Sequence, residues 1–383
     1  MSSPLSPAES FSHSHQTGSD WRSICDKLLQ DLPQDVAGKL AFIYIADSLA
    51  GETDRIIDYL RARTGVPHWV GSVAQGICST GRETYEEAAI ALLLTDLGEN
   101  DFRIMPPVRD NPKAWLDSIA DWRQQQLASV AVVHGDPSHQ QIPATIEQLA
   151  DQLDGGFLVG GLTSSQNLQV QIADKAVGAG LSGVLFGAGV QLSTGLSQGA
   201  SLIGQRHQIT GAEQNIISHL DGRPALEVFK EEIGEELAEN LQQVGGLIFA
   251  ALPVAGSDTG DYLVRNLIGI DPEKQLLAIG DLAQVGSDLQ FARRDRETAI
   301  ADLQRMIETL KSRLPGEPKG ALYHTCLGRG RYQFGEDSAE LKLIRDHLGD
   351  VPLIGFYANG EIEHRRLYGY TGVLSVFCQG TGY

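Results

Sequence analysis

Three stretches of the chain repeat the same order of secondary structure, and this recurrence constrains the fold more than any other feature. Each stretch has an apolar strand, an amphipathic helix and a second apolar strand that runs into glycine. The first strands and these glycines are residues 40–45 and Gly71, residues 129–134 and Gly160, and residues 321–326 and Gly355. Strand, helix and strand in this order predict a right-handed βαβ unit. The three copies indicate an internal duplication. The alternative is that unrelated βαβ units look alike because the same physical constraints apply to all of them.

The stretch between the second and third copies differs from both neighbours. It predicts a helix within residues 215–234, strands at residues 244–253 and 276–279, and a long amphipathic helix at residues 296–314 with Asp295 as N-cap. With 383 residues, the chain is longer than one ordinary domain. We therefore expect an α/β protein of two domains, built from repeated β-α-β(-β) units, with mixed, largely parallel sheets flanked by helices.

Composition and charge exclude several classes of protein. The formal net charge of −19 opposes binding to nucleic acids and to anionic membrane surfaces. No run reaches the roughly 18 consecutive apolar residues of a membrane span. The N-terminus has neither a basic start nor an apolar run, so residues 1–20 predict a disordered tail and no signal peptide. Four scattered cysteines without a C-x-x-C motif indicate reduced thiols, a cytoplasmic location and no zinc site.

The loops that end the third copy carry the side chains best suited to hold a ligand. Both strands of a βαβ unit end at one edge of the sheet, which is where open α/β sheets bind ligands. Arginine suits a carboxylate and glutamate suits an ammonium group, so a small zwitterion would fit both. A structural ion pair between Arg329 and Glu361 is the alternative. The candidate residues are Cys326, Gly328 and Arg329 after the first strand, and Asn359, Gly360 and Glu361 after the second.

The first two copies present small polar residues at the corresponding edge. Ser72 follows one predicted strand, and Gly161, Thr163 and Ser164 follow another. Hydroxyl groups and accessible backbone suit hydrogen bonding to a ligand, although the same residue types also suit tight turns. We include these four among the candidate ligand-binding residues.

Enzymatic alternatives depend on weaker patterns. Residues 195–199 match G-x-S-x-G, but a nucleophile elbow needs a helix after Ser197, and the residues that follow predict extended chain. His324 and Cys326 are two apart on a predicted strand and so face the same side, where the histidine could activate the thiol. Buried neutral cysteines are commoner. We therefore expect no enzyme, with a thiol enzyme that uses Cys326 as the alternative.

Haem binding is a further alternative, because a histidine in an apolar pocket can ligate the iron. His68, beside Trp69, and His207 are the candidate axial ligands. Histidines that are hydrogen-bonded within a core or loop are more common than histidines that ligate haem iron. The expectation is therefore no cofactor and no metal.

Several motifs, taken in order, resemble the FIST family of sensory proteins. For the C-terminal part these are NIISHLDGRPALEVFKEEIG (215–234), YLVRNLIGIDP (262–272), ARRD (292–295), CLGRG (326–330) and GFYANGEI (355–362). For the N-terminal part they are VGSVAQGI (70–77) and GGLTSS (160–165). Each motif is weak alone, but the ordered set is specific and covers nearly all of the chain after about Gly38.

This resemblance implies a FIST N-terminal domain over residues 21–222 and a FIST C-terminal domain over residues 223–383. It also implies intracellular signal transduction with a small ligand such as an amino acid. Some members look like haem-based nitric-oxide sensors that act with a histidine kinase. We therefore expect a cytoplasmic sensor of an amino acid or similar metabolite, which passes its signal to a separate partner such as a histidine kinase.

Overall fold

The computed structural model describes residues 11–33, 35, 37–153, 156–253 and 262–380. The chain divides into two compact units. Unit one comprises Met1–Ser197 and Gln304–Tyr383, and unit two comprises Gln198–Leu303. The boundary at residues 222 and 223 that the sequence predicts lies inside unit two.

Strands outnumber helices in the described chain, and several strands often follow one another without a helix between them. The strands are β1 (Ser12–Thr17), β2 (Leu40–Ala46), β3 (His68–Ala74), β4 (Gly76–Ser79), β5 (Arg82–Tyr85), β6 (Ala89–Leu94), β7 (Phe102–Val108), β8 (Val130–Gly135), β9 (Phe157–Leu162), β10 (Gln171–Ala173), β11 (Ala176–Val177), β12 (Leu181–Phe186), β13 (Gln191–Ser197), β14 (Ser201–Glu213), β15 (Ile216–Leu220), β16 (Arg223–Pro224), β17 (Ile248–Pro253), β18 (Tyr262–Asp271), β19 (Leu276–Ile279), β20 (Asp288–Arg293), β21 (Pro318–Cys326), β22 (Leu353–Ala358), β23 (Glu361–His364), β24 (Arg366–Tyr368) and β25 (Gly372–Cys378). The helices are α1 (Trp21–Asp31), α2 (Thr53–Thr64), α3 (Lys113–Ser118), α4 (Ala120–Gln126), α5 (Ile142–Gln152), α6 (Ala225–Ile233), α7 (Glu235–Glu239), α8 (Arg296–Ser312) and α9 (Ala339–Leu348), with 3₁₀ turns at Asp47–Glu52, Leu241–Gln243 and Gly330–Tyr332.

Unit one contains three six-stranded sheets that share one internal order. Sheet A is β1-β6-β2-β3-β10-β11, sheet B is β13-β25-β21-β22-β4-β5, and sheet C is β7-β12-β8-β9-β23-β24. At the centre of each sheet lies a parallel pair: β2 with β3, β21 with β22, and β8 with β9. Helices α2, α9 and α5 respectively connect the two strands of these pairs.

The mixed α/β class is confirmed, but the prediction that the sheets are largely parallel is wrong. Only the three central pairs are parallel, and every other pairing between described strands is antiparallel. A connecting helix is what signals a parallel pair in a sequence. Most antiparallel neighbours are far apart in sequence, as β2 and β6 or β8 and β12 are, so no local pattern indicates their direction.

The central strands are buried on both faces, which explains their continuous apolar sequences. Strand β2 reads LAFIYIA, and all seven of its residues are buried. One face of each sheet contributes to a common core, which contains Phe42 from sheet A, Val132 from sheet C and Leu322 from sheet B. The other face of sheet A packs against residues such as Ile56 and Leu60 of helix α2. The three sheets therefore enclose one core, with helices outside.

The predicted N-terminal tail is wrong for residues 12–20. Strand β1 pairs antiparallel with β6, and the Asp20 side chain caps helix α1 by accepting hydrogen bonds from the backbone of Arg22 and Ser23. The strand reads SHSHQT, and this polar sequence conceals its burial: His15 is buried, with Nδ1 2.9 Å from Ser79 Oγ. Residues 1–10 of the predicted tail lie outside the described residues.

Hairpins are exchanged between the three sheets of unit one. Hairpin β4–β5 follows β3 of sheet A in sequence but pairs with β22 in sheet B. Hairpin β23–β24 follows β22 but pairs with β9 in sheet C. Hairpin β10–β11 follows β9 but pairs with β3 in sheet A. The exchange is cyclic, so each sheet is completed by a hairpin whose preceding strand belongs to another sheet.

A glycine occupies the same position in the second strand of each parallel pair, where the two backbones approach closely. A Cβ atom at this position would overlap the carbonyl oxygen of the paired residue on the first strand. Any larger residue would push the paired strands apart. The glycines and the paired residues are Gly71 with Ile43, Gly160 with Val133 and Gly355 with Tyr323.

We expect Gly355→Ala to lower the free energy of unfolding by roughly 1–3 kcal/mol, because the added methyl group forces the backbone of β21 to move. Gly51→Ala is the matched control, since a Cβ atom at Gly51 meets no other atom within 4 Å. Urea unfolding followed by circular dichroism measures both variants. Equal unfolding midpoints for the two variants would contradict the close approach of β21 and β22.

Unit two contains an antiparallel sheet that closes on itself. Its order is β14-β20-β17-β18-β19-β15, and β14 pairs with β15 as well as with β20, so six strands form a ring, with β16 attached to β15. Leu226 and Phe229 of helix α6 share a buried cluster with Ile217 and Phe291 of the sheet. Strand β14 confirms that the residues after Ser197 are extended, as the sequence predicts.

Candidate functional site

The loops after β21 and β22 lie side by side, as the βαβ argument predicts. Cys326 pairs with Ala358 in the parallel register, and the backbone nitrogen of Leu327 donates to the carbonyl oxygen of Ala358 at 3.1 Å. Cys326 is half-buried, and Asn359 is exposed. The structure therefore brings together four of the predicted residues, namely Cys326, Gly328, Asn359 and Gly360.

Glu361 follows Gly360 directly and is the most unusual of the predicted ligand-binding residues. It is fully buried, and its Oε2 atom accepts hydrogen bonds from the backbone nitrogen of Thr371 at 3.0 Å and from Thr371 Oγ1 at 2.9 Å. Its Oε1 atom has no hydrogen-bond partner among the described residues. Burial raises the pKa of Glu361 to about 8, although the hydrogen bonds from Thr371, the charge of Arg329 and the nearby backbone N–H of Gly360 lower it in part. A buried acceptor without a partner is costly, so it needs an explanation.

The repeated topology provides an internal comparison for Glu361. Glu361 lies opposite the residue that follows the close-approach glycine of its sheet. The same position is held by Gln171 in sheet A and by Ile77 in sheet B. Gln171 is fully satisfied, because its Oε1 accepts from Ser182 Oγ at 2.8 Å and its Nε2 donates to the Gly180 carbonyl at 3.2 Å. Of the three equivalent positions, Glu361 alone combines a carboxyl group with an unpaired oxygen. The unpaired atom is therefore not a general property of the fold.

Arg329 is buried and paired with a residue that the sequence does not single out. Its guanidinium lies 2.8 Å from Oε1 of Glu340, a fully buried residue on helix α9, and it also donates to Ser197 Oγ at 3.1 Å. Phe334 lies beneath the guanidinium, with its ring centroid 5.0 Å from the central carbon. The structural ion pair of Arg329 is therefore with Glu340, and the alternative of a pair with Glu361 is wrong. A ligand-binding role for Arg329 stays a prediction.

The small polar residues of the first two copies are engaged within the protein. Ser164 Oγ accepts from the backbone nitrogen of Gln75 at 3.1 Å and donates to the Tyr357 carbonyl oxygen. Thr163 donates a hydrogen bond to the Gln169 side chain. The hydroxyl of the buried Ser72 donates to the Val73 carbonyl oxygen. Gly161 pairs with Glu361 in sheet C. Ser164 thus links the carboxyl ends of β3, β9 and β22. All three parallel pairs end at this one edge, which the sequence alone does not show.

Three polar aromatic side chains meet in the core below this edge. Tyr44, His134 and His324 lie on β2, β8 and β21, and all three are fully buried. The Tyr44 hydroxyl lies 3.2 Å from His134 Nε2 and 2.9 Å from His324 Nε2. Burial lowers the pKa of both histidines, that of His324 to about 3, so both imidazoles are neutral at pH 7. Because His324 is a weak base turned toward Tyr44, this geometry gives no support to activation of the Cys326 thiol.

Both histidines considered for haem already use their two ring nitrogens. His68 contacts Asp174 at 3.0 Å and Glu99 at 3.1 Å, and the hydrogen bond with Asp174 raises its pKa. His207 contacts Asp221 at 2.7 Å and Glu232 at 3.2 Å. Neither residue therefore offers a free nitrogen to an iron. Within the described ranges, no three His, Cys, Asp or Glu side chains are grouped to hold a metal ion.

Comparison with known proteins identifies the family. The model of the FIST N domain matches residues 39–223, and the model of the FIST C domain matches residues 225–364. The chain is a member of the FIST family. FIST domains are associated with sensing in signal transduction. The FIST resemblance expected from the motifs is confirmed.

Mycobacterial relatives extend this FIST relationship over nearly the whole chain. An uncharacterised protein of Mycobacterium tuberculosis is 31% identical over 94% of this chain and 97% of its own length. An uncharacterised protein of Mycobacterium bovis is 30% identical over 90% of this chain and 92% of its own length. No helix in the described part of this FIST protein is both long and apolar enough to cross a membrane.

Proposed function

We propose that this FIST protein is a sensor that binds a small polar metabolite, such as an amino acid, at the edge formed by Cys326, Gly328, Asn359 and Gly360. The single observation that carries the proposal is the unpaired Oε1 atom of the buried Glu361. A ligand that donates a hydrogen bond to this atom would remove the cost of leaving it unsatisfied. Binding, rather than catalysis, is the role that this arrangement supports.

The chemistry of the ligand follows from the groups available at this edge. Glu361 suits an ammonium group, because a cation beside the buried carboxyl lowers its pKa, and the ionised carboxylate then forms a strong hydrogen bond with the N–H donor. Arg329 is already paired with Glu340. The exposed amide of Asn359 is therefore the group that we assign to the carboxylate end of an amino acid. We further propose that the signal passes to a separate protein, such as a histidine kinase.

The test is a thermal-shift screen of amino acids and related metabolites, followed by calorimetry of any compound that raises the melting temperature. A ligand at 100 times its Kd stabilises the folded state by about 2.7 kcal/mol. We expect Glu361→Gln to weaken binding about tenfold or more, because it removes a charge-assisted hydrogen bond.

Glu363→Gln is the matched control, because Glu363 is a partly exposed carboxylate two residues further along the same strand. This variant should bind the ligand as the wild type does. Equal affinity of Glu361→Gln and the wild type for a ligand found in the screen would overturn the site. Affinity that falls equally in both variants would indicate general electrostatic attraction and would overturn it as well.

A further inference from the structure

A second group of polar side chains lies where the exchanged hairpin β4–β5 meets the 3₁₀ turn Gly330–Tyr332. We call Glu83, Tyr85, Tyr357 and Gly330 the Glu83 cluster. Tyr85 donates to Glu83 Oε2 at 3.0 Å, and the two tyrosine ring centroids are 4.8 Å apart. Gly330 has a φ of +53°, and a Cβ atom there would overlap Tyr85 Oη and lie 2.7 Å from Tyr357 Oη. Both hydroxyl groups therefore converge over a residue that has no side chain.

Two atoms of the Glu83 cluster lack a hydrogen-bond partner among the described residues. These are Glu83 Oε1 and Tyr357 Oη, and Tyr357 is fully buried. The Tyr357 hydroxyl lies close enough to Glu83 and to Tyr85 to lower the pKa of each in part, yet it reaches normal hydrogen-bond geometry with neither. A buried polar atom left unsatisfied costs about 1–3 kcal/mol. A ligand that bonds to both atoms would recover part of that cost.

The charges around the Glu83 cluster favour a cation. Burial and the nearby carboxylates of Glu340 and Glu336 raise the pKa of Glu83 to about 7. Arg329 is committed to Glu340, so its charge is already balanced. Arg331 lies over the Tyr85 ring at 4.6 Å and is paired with Glu86, so its charge is balanced as well. An anionic ligand would be repelled by the same carboxylates.

We propose that the Glu83 cluster binds the ammonium group of a small organic amine. The ammonium would donate one hydrogen bond to Glu83 Oε1 and another to Tyr357 Oη, and its alkyl group would lie against the tyrosine rings. A divalent metal ion fits less well, because only one carboxylate oxygen is unpaired. This site does not involve Glu361, so it stands independently of the ligand site proposed above.

The test is calorimetric titration of the full chain with ethylammonium chloride at constant ionic strength, at pH 8 and at pH 6. We expect saturable binding at pH 8 and binding about tenfold weaker at pH 6, because a proton on Glu83 competes with the ammonium. Tetramethylammonium chloride is the comparison ligand. It has the same charge but no N–H donor, and we expect its affinity to be lower than that of ethylammonium by a factor of at least about five.

Variants assign the binding to the cluster. Glu83→Gln should reduce ethylammonium affinity about tenfold, and Tyr357→Phe about fivefold, while Glu87→Gln should have no effect because Glu87 is an exposed carboxylate of the same region. These titrations are made in the Glu361→Gln background, so that ethylammonium binding at the edge site proposed above does not contribute. Ethylammonium binding that is undetectable, or that is equal in the wild type and Tyr357→Phe, would overturn the proposal. Because Tyr357→Phe removes a single oxygen atom, it keeps the test valid even if Glu83→Gln does not fold.

Discussion

We expect Arg329→Ala to lower the free energy of unfolding by roughly 3–5 kcal/mol, which is the usual cost of removing one partner from a buried ion pair. The substitution leaves the Glu340 carboxylate fully buried without its cation. Glu340 would keep hydrogen bonds from the Tyr323 hydroxyl at 2.7 Å and from the Gly330 backbone nitrogen at 2.9 Å. These neutral donors do not balance a buried negative charge. Urea unfolding followed by circular dichroism measures the loss.

Two further variants test the cause of this loss. Arg345→Ala removes an arginine whose pair with Asp346 is exposed, so it should change stability by less than about 1 kcal/mol. Arg329→Met combined with Glu340→Gln removes both charges and should recover part of the stability lost in Arg329→Ala. If Arg329→Ala were as stable as the wild type but bound the ligand much more weakly, this result would contradict the structural role of Arg329 and favour its ligand-binding role.

The second large effect is a dependence of stability on pH that comes from Glu361. The folded-state pKa is about 8, against 4.5 for a free glutamate. Between these values the folded state keeps a proton that the unfolded state has released, so stability is full below pH 4.5 and falls until about pH 8. For one fully buried group, a shift of this size corresponds to roughly 3–5 kcal/mol.

Glu361→Gln isolates this contribution, because glutamine does not titrate. As pH rises from 4.5 to 8, the free energy of unfolding of the variant should increase relative to that of the wild type by roughly 3–5 kcal/mol. Urea unfolding at several pH values measures this difference. Glu147→Gln, which changes an exposed carboxylate on helix α5, serves as the control and should follow the wild-type curve. Parallel curves for Glu361→Gln and the wild type would show that Glu361 is ionised in the folded protein.

Most secondary structure follows from local patterns in the sequence. Strand β19 is observed at Leu276–Ile279, as predicted, and helix α8 covers Arg296–Ser312 where residues 296–314 were expected. The Asp295 side chain accepts from the backbone nitrogen of Thr298, which confirms the predicted N-cap. These features depend on residues that are close in sequence. They are therefore visible as apolar periodicity and capping signals.

Hairpin placement could not be predicted, because it depends on contacts distant in sequence. The residues of β23 read EIEH, which gives no indication that this strand leaves sheet B for sheet C. The partner of Arg329 was missed for a different reason: Glu340 is only 11 residues away on helix α9, but no sequence pattern distinguishes this glutamate from the others nearby. The convergence of the Cys326 and Asn359 loops was predictable because βαβ geometry alone requires it. The burial of Glu361 was not, because it depends on the exchanged hairpin.

The exchanged hairpins mean that the two regions matched by the family models are interlaced. Residues before 224 supply all six strands of sheet A, four strands of sheet C and three strands of sheet B. Residues after 224 supply the remaining strands of sheets B and C. A polypeptide broken at this junction would leave open strand edges on both fragments, and such edges favour aggregation. We therefore expect that neither fragment alone can form sheets B and C, because both regions supply strands to each of them.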